Sequence, residues 1–189
     1  MDGARRKRLG IRSEQWFTDE MEFTILGPVE ARVDGRRLAL GGPKQRGVLA
    51  ILLLHANEAV SRDQLIDGLW GDSPPPSARH TLDDYVSRLR RALGPDRIVR
   101  RAPGFVVRVE PGELDLETFE ALLENGRIAA AVGDAAEARD SLHAALALWR
   151  APALADLEYE PFAGVETARL EERRLLALEA RVDADLRLG

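Results

Sequence analysis

The sequence predicts an α+β first half joined to an all-α second half. Two hairpin signals frame the first half: short strand-like stretches around Asp34-Gly35, and a second pair around Ala102-Pro103-Gly104. Between them lie three segments whose apolar residues recur at helical spacing. From Leu114 onward only helical patterns remain.

EFTIL, VEARV and RRLAL, with Asp34-Gly35 as the turn, read as short antiparallel strands beginning near Met21. A first helix is expected after Gly42-Pro43, with proline at its first position. Its body QRGVLAILLLH is apolar nearly all round from Val48 to Leu54, which assigns it to a core. Ser61 and Gln64 form a capping box that opens a second helix, with Val60 and Leu65 at the staple positions. Leu65, Ile66, Leu69 and Trp70 make its buried face, and Gly71 ends it. The stiff loop GDSPPP follows, because three consecutive prolines cannot continue a helix.

The third helix is expected over residues 77–93, stopped by Gly94-Pro95. In TLDDYVSRLRRALG, Leu82, Val86, Leu89 and Leu93 are spaced 4, 3 and 4 and share one face. The opposite face carries His80, Asp84, Ser87, Arg88 and Arg91. RIVRRAPGFVVRV then reads as a β-hairpin. In the second half, helices are expected at about 116–132 and 135–149, broken by Gly133-Asp134, and at about 162–188. Ala138, Leu142, Ala145, Leu146 and Trp149 form the stripe of the middle one. Two antiparallel helices with a tight turn resemble a helical-hairpin repeat, and a lone pair plus one helix reads as an incomplete array.

The chain has 189 residues, 45% of them hydrophobic, enough for one or two domains with a core. It has no cysteine, which excludes disulfides, thiol nucleophiles and Cys-based metal sites and fits a reducing cytoplasm. The longest apolar run, Val48–Leu54, is too short to span a membrane. MDGARRKRLGIRSEQW has no apolar segment behind it, so residues 1–20 are read as a basic arm rather than a secretory signal. The net charge of −5 is uneven. Residues 110–189 carry 18 acids and 8 arginines, a balance of −10, which leaves +5 for residues 1–109. Such a split suggests a nucleic-acid-binding portion beside one with another task.

No catalytic, cofactor or metal constellation emerges. His55, His80 and His143 are isolated in sequence. His55 is read as structural, ending a core helix, and His143 as surface. GGPKQRG lacks the Gly-Lys-Ser/Thr ending of a phosphate loop. Glu158 and Glu160 are read as solvated loop carboxylates.

Strands, helix, helix, loop, helix and hairpin, in that order, make a winged helix-turn-helix. The segment GGPKQRGVLAILLLHANEAVSRDQLIDGLWG, the proline loop, TLDDYVSRLRRALG and RAPGFVV resemble the OmpR-type winged helix, and more narrowly the Streptomyces antibiotic regulatory protein family. GELDLETFEALL, GDAAEARDSLHAALALWRAPALADL and EPFA resemble the start of that family's bacterial transcriptional activator domain, built of TPR-like helices. The resemblance covers roughly residues 21–189. It implies a DNA-binding domain at 21–110 and an incomplete activator domain at 111–189.

The resemblance further implies that the third helix lies in the major groove of double-stranded DNA and the hairpin reaches a minor groove. Arg88 stands where OmpR-type readers carry a base-contacting arginine, and arginine can bridge guanine O6 and N7. His80, Tyr85, Ser87 and Arg90 match positions that meet phosphates, contacts that set register. Arg101 matches the arginine that enters the minor groove, whose potential attracts it. Arg79, Thr81, Arg91 and Arg100 complete the expected set. Ala-Pro-Gly-Phe departs from the Gly-x-Gly-Tyr frequent in such wings. Asp84 would accept from cytosine N4, steady Arg88 at i+4, or simply sit near phosphates. Asp83, on the flank, would pair with neighbouring arginines.

The function implied is a sequence-specific transcriptional activator of the cytoplasm. RNA polymerase and a second copy on direct repeats are its partners by resemblance. The alternative is an interaction module whose acidic helical half carries the role while DNA binding is weak. The charge split adds the expectation that residues 21–110 fold alone and bind DNA with a steep salt dependence. The acidic helical half is expected to stay off DNA and either to pack on the winged helix or to make a protein contact, through leftover apolar surface around Leu170–Leu186.

Overall fold

A computed structural model describes residues 20–189, so the arm expected at 1–20 lies outside the described residues except for exposed Glu20. β1 (Met21–Thr24), β2 (Glu30–Val33) and β3 (Arg36–Arg37) form an antiparallel meander in that order. Asp34 and Gly35 both take positive φ, 49° and 73°, as the two-residue turn requires. β3 is shorter than the strand expected to Leu40; only Arg36 and Arg37 stay in register with β2.

α1 (Pro43–Leu54) begins on its proline and buries Val48–Leu53. α2 (Arg62–Trp70) carries the capping box: Gln64 N–H donates to Ser61 Oγ at 3.1 Å, and Ser61 N–H donates to Gln64 Oε1 at 2.9 Å. α3 (Ala78–Leu93) buries Leu82, Val86, Leu89 and Leu93, the stripe its spacing announced. β5 (Ile98–Arg101) and β6 (Gly104–Val107) form the hairpin. An unforeseen two-residue strand, β4 (Val60–Ser61), joins it, so the sheet order is β4-β6-β5. Two residues are too few for periodicity to show. Gly104 is required there, because a Cβ would run into the Val60 carbonyl oxygen.

The second half holds α4 (Asp115–Ala131), α5 (Ala135–Ala147) and α6 (Ala163–Leu188). α4 and α5 make a TPR-like hairpin across Gly133, with the Asp134 side chain capping Glu137 N–H at 3.0 Å. Gly126 lets the pair close up, since a Cβ there would lie 2.6 Å from Leu142 Cγ. Phe119 meets Trp149 edge to face at 5.5 Å. α6 buries Ala163, Leu170, Ala177 and Ala184, one small or apolar residue every seven. Leu170 therefore belongs to the core. The leftover apolar surface is Leu175, Leu176, Val182 and Leu186, all exposed.

One hydrophobic core runs from the first sheet through α1–α3 to α6. The halves are locked at the Ile25-Leu26 segment. Its N–H groups donate to the Asp115 carboxylate at 2.9–3.0 Å, and its carbonyls accept from Leu154 N–H (3.1 Å) and Arg150 N–H (3.0 Å). The loop between α5 and α6 straps this junction. Asp156 accepts from Val29 N–H (2.8 Å) and pairs with Arg46 (2.6 Å), and Phe162 N–H donates to Gly68 O (3.1 Å). Glu160 is not a solvated carboxylate: it is buried and pairs with Lys44 at 2.8 Å, while Glu158 is exposed. His55, read as structural, is exposed at the end of α1. A segment cut at residue 110 would lose every one of these partners from the second half.

Burial pushes the Asp115 carboxyl up to about 6, against the Ile25 and Leu26 N–H groups and the Arg150 charge, which favour ionisation. Asp115→Ala strands two buried N–H donors, so urea unfolding should report a loss on the order of 3 kcal/mol. Because the folded value lies above the unfolded value of about 3.9, this group's stabilisation is complete below about pH 4. It is lost as pH rises through about 6. Asp115→Asn should therefore cost less than the alanine change and remove that part of the pH dependence. Alanine and wild-type proteins of equal stability would contradict the lock.

Candidate nucleic-acid interface

Burial of the Leu82, Val86, Leu89 and Leu93 stripe turns the rest of α3 outward. Arg79, His80, Asp83, Asp84, Ser87, Arg88 and Arg91 are exposed; Thr81, Tyr85 and Arg90 are half-buried. Tyr85 packs against the core. The acids of this face have partners. Asp83 takes a two-pronged pair from Arg62 at 2.6 and 3.0 Å. Asp63 of α2 pairs with Arg79 at 2.7 Å. Asp84 lies 3.8 Å from His80, one turn back, rather than against Arg88 one turn ahead.

Arg90 departs from the phosphate-contacting position expected of it. Its Nε donates to Ile98 O at 2.6 Å, and its guanidinium lies 5.8 Å from the centre of the Phe105 ring. The side chain ties α3 to the hairpin and leaves the outward set, because Ile98 O and Phe105 lie within its reach on the inner side.

In the hairpin, Arg100 stands opposite Phe105 and Arg101 opposite Gly104. Alternation along a strand puts Arg100 on the face shared with Phe105 and Ile98, toward α3. Arg101 is on the other face, with Val99 and Val106. Both arginines are exposed. They line a shallow groove with Asn57, Val99, Val106 and Arg108. Among the described residues, Arg88, Arg91, Arg100 and Arg101 make no ion pair, while Asp63 and Asp83 are paired to arginines and Asp84 faces His80. Among the described residues these four cations outnumber Asp84, the one acid of this face that no arginine engages.

Sequence reasoning missed Arg62 and Phe105. Arg62 opens α2, where a cation opposes the helix dipole. That unfavourable placement was the available signal of a partner elsewhere. Among the described residues, no three His, Asp or Glu side chains gather as metal ligands, and no helix is long and apolar enough to cross a membrane.

Residues 35–106 match the family described as "Transcriptional regulatory protein, C terminal", and residues 114–189 match "Bacterial transcriptional activator domain". The chain is 40% identical over 194 residues to the regulatory protein AfsR of Streptomyces coelicolor, covering all of this chain and 19% of AfsR. It is 38% identical over 180 residues to the regulatory protein DnrI of Streptomyces peucetius, covering 89% of this chain and 66% of DnrI. The chain thus spans a fifth of the first and about two thirds of the second. The structure of Mycobacterium tuberculosis EmbR in complex with a low-affinity phosphopeptide superposes with a TM-score of 0.85 at 36% identity, over 89% of this chain and 46% of that one. With a winged helix-turn-helix and a TPR-like activator segment in the same order as these relatives, the chain belongs to the Streptomyces antibiotic regulatory protein family.

Proposed function

We propose that this chain is a sequence-specific DNA-binding transcriptional activator that works in the cytoplasm. The observation that carries the reading is the set Arg88, Arg91, Arg100 and Arg101, exposed on α3 and the hairpin and without an ion pair among the described residues, with the rotation of the helix fixed by the core. Residues 21–110 form the DNA-binding unit and residues 111–189 the activator unit. Arg88 reads a guanine in the major groove. His80, Thr81, Ser87 and Arg91 hold phosphates, with Tyr85 and Arg79 at the edges, and Arg100 and Arg101 reach the minor groove. Asp84, set against His80, moderates the charge of the face.

The helical half carries the protein contacts. RNA polymerase is one partner, and a second copy on direct repeats is the other. The exposed stripe Leu175, Val182 and Leu186 on α6 offers apolar area for such a contact.

Selection of bound duplexes from random DNA, at stated salt, supplies the operator and the first test. On the selected duplex, Arg88→Ala should relax preference at one base pair and cost about 1–3 kcal/mol. Arg101→Ala should weaken binding more evenly across sequences and make the salt slope shallower, because counterion release drives that part of the affinity. Asp84→Asn should raise affinity for all sequences alike; a switch in base choice would instead make Asp84 a reader. Arginine changes that leave affinity and preference intact in a folded chain would overturn the reading. Sedimentation should detect two copies on a repeated site, and a strict monomer both free and on DNA would remove the self-association.

A further inference from the structure

We propose that Arg62 is a positioning residue that fixes the hairpin against the reading helix, so that their contacts with DNA are energetically coupled. This rests on the DNA-binding reading above. Arg62 is carried by α2 and reaches two further elements. Its guanidinium forks onto Asp83 of α3 at 2.6 and 3.0 Å and lies 5.0 Å from the centre of the Phe105 ring of β6. The side chain is only 16% exposed, so its charge has left most of its water and depends on that carboxylate and ring.

Phe105 is buried, pairs across with Val60 just ahead of α2, and receives a second guanidinium from Arg90. Through Arg90, α3 also grips Ile98 O of β5. One aromatic ring thus gathers cations from the two helices, and both cations are anchored on α3 or β5. Asp83, by contrast, lies on the half-exposed flank of α3 and adds nothing to the apolar core. What it provides is the far end of the Arg62 bridge. A helix in one groove and a hairpin in the next bind together only when their relative angle is set beforehand, since the ordering cost is then already met. Lysine cannot take this place, because it lacks the planar fork that engages a carboxylate and stacks on a ring.

The test is a double-mutant cycle on the full chain, with the duplex recovered by selection as probe. In the native background, Arg101→Ala should weaken binding about tenfold. In the Arg62→Met background, where volume is kept and the fork is lost, the same change should cost less than about twofold, while base preference at the Arg88 position persists. Arg62→Lys should behave like the methionine change. Equal losses in both backgrounds, or rescue by lysine, would overturn the proposal. Should Arg62→Met fail to fold, Asp83→Ala breaks the same bridge from an exposed position. It should reduce the Arg101→Ala effect in the same direction, and full additivity there would equally overturn it. If Arg88→Ala and Arg101→Ala are silent in the native background, the DNA-binding reading fails and this inference with it; if they act but are independent of Arg62, only the inference fails.

Discussion

Burial of Leu82, Val86, Leu89 and Leu93 is the constraint on which the surface of this protein depends. These four side chains set the rotation of α3 against α1, α2 and β5, and the rotation decides which polar residues meet solvent. Full burial of an apolar side chain stabilises by about 1.5–3 kcal/mol, more than any exposed ion pair on the opposite face contributes. The core therefore chooses the outward set. Arg88 and Arg91 point out because they lie on the far side of that stripe. Arg90, at its margin, is drawn inward to Ile98 O and Phe105.

A second constraint joins the halves. Ile25 and Leu26, just after the first strand, carry backbone groups that the first half alone does not satisfy, and the Asp115 carboxylate with the loop after α5 satisfies them. The acidic helices are thereby attached to the first sheet, to the start of α1 and to the end of α2. Beyond the Arg97–Glu113 pair at the foot of β5, α3 and the hairpin take no part in that attachment, and among the described residues Arg88, Arg91, Arg100 and Arg101 make no ion pair. The charge division along the chain thus becomes a division in space without two separate cores.

Much of this was legible in the sequence. The capping box at Ser61, the Asp-Gly turn, the 4, 3, 4 stripe of α3 and the Gly-Asp break between α4 and α5 are local signals with local causes, and each lies where it was expected. What was hidden depends on partners distant in sequence. Glu160 looked solvated because Lys44 is 116 positions away, and their pairing is a property of the fold. Asp115 gave no sign that it would serve two backbone amides just after β1, about 90 residues earlier. β4 was too short to show a period. On α3 the outward arginines were readable from spacing, but the inward turn of Arg90 and the reach of Arg62 from α2 were not, because each side chain meets partners on elements other than its own.

The proposed DNA-facing surface is α3 with the hairpin, with the acidic helices off the duplex. Amide hydrogen exchange of the full chain, with and without the selected duplex, addresses it residue by residue. Exchange should slow within residues 79–91 and 98–104 on adding DNA, with α4–α6 unchanged at a one-to-one ratio. Protection confined to α4–α6, with α3 and the hairpin unaffected by a duplex that binds, would contradict it.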